Sequence, residues 1–409
     1  MHKVLSYISA ILICLQASAQ GGTDFISAVQ AFSDEDYAKA EGLFARLHAR
    51  DTTDSAVLHY LGLCEFANGK QASAERHLQS AVAADSTNAW YISSLASLYN
   101  SQHRRAQTAD LLEKLLELKP QSYRNAYTLC LIADVRINQG RDSLATAYYT
   151  QALDLEPEYA PARLGLAEAN RIKGNTPAYM FNLGKFIENM EVEGQMKSEY
   201  LQMVLQNMDA RFWWVWGDQL TGLVDKCMEL HPDDIQSRMN KVNICAIKQD
   251  TLGIIAQCKE IIPIARAKKD TANTVTALST LGDYYHMQGN SRQAYKVYDE
   301  ALKLDPRCTA VLNNYAYYLS EERKQLRKAL AMSKITIEEE PDNATYLDTY
   351  AWILYLLKKP AEAKPYFKHA MIYGGKDSAV ILQHYSDVLK ALGENDLSSY
   401  YHSLAERKK

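Results

Sequence analysis

GDYYHMQGNSRQAYKVYDEALKLDP (282–306) and ADVRINQGRDSLATAYYTQALDLEP (133–157) lie far apart in the chain yet share one frame. A small residue opens each. Gly289 then matches Gly140, Ala294 matches Ala145, Tyr298 matches Tyr149, Ala301 matches Ala152 and Pro306 matches Pro157. The frame has a physical reading. Gly282, Ala294 and Ala301 fit where two helices cross closely and a larger side chain would push them apart. Tyr298 or Tyr149 fills the space between those helices, and Gly289 or Gly140 takes the turn, since glycine tolerates positive φ. Pro306, Pro157, Pro120 and Pro341 stop the second helix, because the ring removes a donor and clashes with the preceding turn.

The same frame returns in GLCEFANGKQASAERHLQSAVAADS (62–86) through Gly69, Ala74, Leu78 and Ala81. It returns with gaps in 96–120 and 351–371, and DYAKAEGLFARL (36–47) supplies the second half of a first unit. A small, Gly, Ala, aromatic, Ala and Pro order resembles the tetratricopeptide repeat, a helix–turn–helix unit of about 34 residues. Units then start near Gly21, Ser55, Ala89, Ala126, Ala160, Val275, Thr309, Ala344 and Ser378. From about Gly194 to Thr274 the frame fades, although SEYLQMVLQNM, DQLTGLVDKCMEL and IIAQCKEIIPIARAKK keep apolar residues at helical spacing. Two degenerate or lengthened units are expected there. No stretch reads as a strand. The expected fold is an all-α, right-handed solenoid of about ten to eleven stacked units. It divides into a first array at 20–193, a joining region at 194–274 and a second array at 275–409, where SLAERKK reads as a polar capping helix.

Residues 1–19 read separately, as a secretory signal peptide. Lys3 precedes a mostly apolar run from Val4 to Leu15, and Ala17-Ser18-Ala19 is a small-x-small cleavage site. The apolar core is too short to span a bilayer, and no later segment is long and apolar enough to do so. A chain exported in this way is expected in the periplasm of a Gram-negative bacterium.

Composition narrows the partners. Lys and Arg number 45 against 49 Asp and Glu, interspersed and without a basic stripe, which excludes the electrostatic footprint of a nucleic-acid binder. Beyond Cys14, the six cysteines Cys64, Cys130, Cys227, Cys245, Cys258 and Cys308 form no CxxC pair. They read as small buried hydrophobes, with a Cys245 bond to Cys258 or Cys227 as the open alternative. There is no HExxH, GxSxG or GxGxxG. GGKDS (374–378) lacks the earlier glycine and strand of a phosphate loop and reads as a helix end followed by an N-cap. His59, His103, His286 and His384 fall on separate repeats with no carboxylate or cysteine at ligand spacing. An enzyme, a metal site and a cofactor are therefore not expected.

Members of the resembled family usually bind extended peptides or partner proteins with the first helices of successive units, which line a concave surface. Carried onto this sequence by helical phase, the inward positions are Trp90, Asn100, Tyr127, Asp134 and Asn138 in the first array. In the second they are Asp283, Asn313, Tyr317, Asp348, Trp352 and Tyr355. Several of these have packing against the next repeat as an equal reading. The paired lysines with which some relatives clamp a C-terminal carboxylate are absent at those places.

RFWWVWGD (211–218) falls in the joining region and crowds Phe212, Trp213, Trp214 and Trp216 together. It reads as the end of a first helix and the turn after it. Packing where two arrays meet is the first reading. A binding patch presenting Trp213 or Trp214, or a pocket for a small ligand such as a cell-wall fragment or glycan, is the second. The run is too short to span a membrane. Asp followed by Ser or Thr recurs at 51, 54, 85, 142, 250, 270 and 377. It resembles the O-glycosylation acceptor of exported Bacteroidetes proteins, and the same residues are preferred helix caps. The function expected is a non-enzymatic envelope scaffold that binds a protein or peptide.

Overall fold

The computed structural model describes residues 21–408, so the leader expected at 1–19 lies outside the described residues. Within them the chain is eleven helical hairpins, plus a four-residue helix at Pro120–Tyr123 and a single 3-10 turn at Gly375–Asp377. It is all-α, and its helices pair in hairpins as the repeat frame predicts. The first helices begin at Gly21, Ser55, Ala89, Ala126, Ala160, Gly194, Ile235, Thr271, Thr309, Ala344 and Ala379.

The chain forms two compact units that meet at Val192 and Glu193. The first unit carries five hairpins. The second carries six, and it includes the stretch where the sequence frame fades. The physical reason for the fading is length. Ala210–Leu230 runs 21 residues, and Thr251–Ala267 and Thr271–Met287 run 17 each, against 13 or 14 in most other helices. Extra turns shift the frame without removing it. RFWWVWGD opens the long helix Ala210–Leu230, whose N-cap Asp209 accepts from the Phe212 N–H at 2.6 Å. It does not end a first helix, as the frame carried back from Pro232 had implied. Of the terminal SLAERKK, residues 403–406 lie in the second helix of the last hairpin, Asn395–Glu406.

Each feature of the frame has a structural cause. Gly289 and Gly140 sit at φ 76° and 70° in the turns between paired helices. Where the frame looked gapped, His103 and Lys358 take that left-handed turn at φ 57° and 67°, a strain that glycine avoids. A Cβ on Gly282 would stand 2.4 Å from the fully buried Tyr298 ring, which is why a small residue is needed there. In the second unit one apolar core runs from Cys245 and Ile254 through Leu278, Tyr298 and Leu319 to Ile353. All six cysteines of the described residues are free, and Cys258 is pushed up to about 12 by burial. Asp54, Asp250 and Asp270 cap helix N-termini with their side chains, and Ser378 accepts from the Ile381 N–H. The recurrent Asp-Ser and Asp-Thr pairs thus have a capping role at these places. Among the described residues no helix is long and apolar enough to cross a membrane.

Burial also builds in an acid sensitivity. His59 is 7% exposed, packs against Tyr91, meets Ser94 Oγ at 2.8 Å and is held down to about 4 by burial. Its folded pKa lies below the unfolded value, so the unfolded chain takes the proton first. The stability this group contributes is present above about pH 6.5 and is lost as pH falls toward 4, roughly 2–3 kcal/mol by pH 4.5. Urea midpoints at pH 7 and pH 4.5 check this. The parent should lose about that much more than His59→Gln, and equal losses would exclude His59 as the cause.

Candidate functional site

Three of the residues expected on the binding face converge. Asn313 and Tyr317 on the helix Thr309–Glu321 and Asp348 on Ala344–Leu356 line one cleft of about 220 Å³. Asn314, Thr345, Thr349, Ser378, Val380 and Ile381 complete it. The walls come from the first helices of three successive hairpins and the cap of the third. That is the arrangement by which a stack of repeats makes an extended binding face from short elements.

The side chains form a directed polar network. Tyr298 Oη donates to Asp283, which also accepts from Asn314 Nδ2 at 3.0 Å. Burial pushes the Asp283 carboxyl up from its ordinary value, and the donors Tyr298 and Asn314 oppose that shift. Asn313 Nδ2 reaches Asn314 Oδ1 at 3.4 Å, and Asn313 Oδ1 is buried without a partner. Across the cleft, His384 Nδ1 lies 2.9 Å from Asp348 Oδ1. Trp352 stacks on His384 with centroids 3.9 Å apart and on Tyr355 at 5.0 Å. Burial pushes the Tyr317 phenol up, with Glu321 and Asp348 adding to it. Asn313 and Asp348 are each only 5% exposed, so they do not stand out into an open groove as helical phase suggested. The following first helix packs over them, and the cleft is what remains.

The first-unit candidates are not gathered in this way. Trp90 and Tyr127 open their helices and are 53% and 58% exposed. Asn100 is exposed, and Asn138 Nδ2 donates to the Asp134 carbonyl within its own helix. Asp134 accepts from Tyr149 Oη at 2.6 Å, so its carboxylate is committed to holding the repeat tyrosine. A second cleft in this unit is lined instead by Glu113, Glu117, Arg124, Tyr148 and Gln151, with apolar Leu116, Pro120 and Leu129. It lies mainly against second helices, and helical phase did not point to it.

The aromatic run splits. Trp214 is 87% exposed, which removes it from any packing role, whereas Trp213 folds over the buried Gly217 of its own helix. Phe212 and Trp216 are half-buried, and neither of the two best-defined clefts is lined by any of the four. Nothing in this arrangement favours a small-ligand pocket. Among the described residues no three His, Cys, Asp or Glu side chains are placed to hold a metal ion.

Sequence reasoning set His384 aside as a lone histidine and missed Asn314 and the threonines. Asp348 and His384 are 36 residues apart, about one repeat, and looking for pairs at that offset would have joined them.

A solenoid of paired helices with a polar cleft on its first helices is the build of an interaction module, and the comparisons agree on the class. Residues 249–407 match a family model described as tetratricopeptide repeat, and residues 130–178 match a second model of that description. These matches support the tetratricopeptide-repeat family, whose members commonly mediate protein–protein interactions and whose fold is typically a non-enzymatic scaffold. Type IV pilus assembly protein PilF of Pseudomonas aeruginosa is 25% identical over 125 residues, 30% of this chain and 49% of that protein. Superkiller complex protein 3 of Mus musculus is 28% identical over 173 residues, 42% of this chain and 10% of that protein. The chain thus spans less than half the length of either curated relative. A solved MamA structure aligns at 19% identity and a TM-score of 0.36, covering 42% of this chain and 93% of that one.

Proposed function

We propose that this chain is a non-enzymatic scaffold of the bacterial cell envelope that holds an extended segment of a partner protein on the first-helix face of its second unit. The observation that carries the reading is the polar-lined cleft shared by three successive first helices. A peptide backbone presents N–H and C=O groups at regular spacing to such a lining. The envelope location rests on the leader-like first nineteen residues and takes modest support from the similarity to a pilus assembly protein.

A photo-crosslinking amino acid placed at the exposed Thr345, and in a second chain at the exposed Trp214, tests it in native envelope extracts. A defined protein adduct at Thr345 with none at Trp214 is expected. Adducts at Trp214 alone would move the binding face to the long helix Ala210–Leu230.

A further inference from the structure

The hydrogen bonds around the cleft run in one direction, and that direction specifies what the cleft accepts. Asp283, as a carboxylate, can only accept, so Asn314 must turn Nδ2 toward it. Asn314 Oδ1 then faces Asn313, which must answer with Nδ2, and Asn313 Oδ1 is left over. The amide orientation of Asn313 is therefore fixed by the carboxylate behind it and is not a free choice of rotamer. On the opposite wall Asp348 is 5% exposed, and the one hydrogen-bond donor the structure gives its carboxylate is His384 Nδ1. A carboxylate has about four acceptor positions, and His384 answers only part of that capacity. No lysine or arginine lines the cleft. Asp348, ninety-five per cent buried, thus lines a space of about 220 Å³ as an anion with His384 as its one hydrogen-bond donor.

We infer that this cleft is a subsite for a basic side chain, the ammonium of a lysine or the guanidinium of an arginine, projecting from the partner's extended segment. The inference rests on the proposed peptide-binding face and adds to it the chemistry of one anchoring position. A cationic head supplies donors to the Asp348 carboxylate and the positive charge that no lysine or arginine of the lining brings. Its aliphatic stem lies along Val380 and Ile381, which are the apolar part of the wall.

Selection of random linear peptides displayed on phage, against the whole chain, tests this. Three chains are compared: the parent; Asp348→Asn, which keeps shape and removes charge; and Thr345→Lys, which sets a tethered ammonium at the exposed rim. Selected parent-binding peptides should share one Lys or Arg position. A synthetic copy of such a peptide should bind Asp348→Asn and Thr345→Lys at least tenfold more weakly, and should weaken with salt. Circular dichroism equal to the parent's shows that the variants fold. Peptides that share an acidic or apolar position yet still lose affinity in Thr345→Lys would keep the binding face and overturn the cationic subsite. A basic position insensitive to Asp348→Asn would overturn the subsite as well. Selection of no peptide family, or of peptides indifferent to Thr345→Lys, would overturn the face itself.

Discussion

Tyr298→Ala should lower the stability of the second unit by about 4 kcal/mol. The ring is fully buried between the paired helices Thr271–Met287 and Ser291–Leu304, and it packs so closely on Gly282 that a Cβ there would stand 2.4 Å from it. Truncation removes that filling from a core in which the Tyr298 ring lies 5.4 Å from that of Tyr315. It also strips Asp283 of its hydroxyl donor. Tyr298→Phe separates the two losses, because it keeps the ring and deletes only the donor, at a cost of about 1–2 kcal/mol. In a repeat array each hairpin leans on its neighbours, so the damage should be local. Amide exchange is the suitable measurement. Protection should fall in 271–304 and the flanking helices, while Gly21–Ser33 keeps its parent rate. Uniform protection in both variants would mean that the aromatic position of the frame is not what holds the hairpin together.

Arg136→Ala is expected to cost the first unit about 3 kcal/mol. Arg136 is 1% exposed and its guanidinium is bidentate to Glu113, with Nε to Oε1 at 2.9 Å and Nη2 to Oε2 at 2.6 Å. It also donates to Asp110 at 2.7 Å and to Gln139 at 2.9 Å. Hydrogen bonding to Glu113, and then to Asp110, holds the guanidinium above its already high ordinary pKa despite burial. Removing it leaves two carboxylates side by side with a void beneath them. The cost sits at the low end of the range for broken buried pairs because Asp110 is 63% exposed and re-solvates freely. Arg136→Lys keeps the charge but not the planar fork, so an intermediate loss is expected. Guanidinium midpoints of the three chains decide it. A lysine variant as weak as alanine would locate the effect in the fork alone, and an alanine variant equal to the parent would refute the buried-network account.

How much of this was legible beforehand follows from what repeats encode. Gly289, Ala294, Tyr298 and Pro306 each do one local job, so the frame they make could be read without coordinates, and most first helices begin within a residue of where that frame placed them, the one expected near Val275 beginning a turn earlier at Thr271. Ala210–Leu230 could not be placed, because its extra turns break register and the one glycine of RFWWVWGD, Gly217, lies inside the helix and not at an end. Helical phase picked Asn313, Tyr317 and Asp348, which line one cleft. It could not tell that the next first helix buries two of them, since that depends on how far one hairpin is rotated against the next. Arg136 was invisible for the same reason. On its own helix it is one more charged residue, and only the adjacent second helix brings Glu113 and Asp110 to it.

The central claim is that the first helices of the second unit are the binding face. Hydrogen–deuterium exchange of the whole chain, with and without the partner captured at Thr345, tests it most directly. The account predicts new protection in 309–321, 344–356 and 379–391, with none at 210–218. Protection confined to 210–218, or to the first unit around Trp90 and Tyr127, would contradict it.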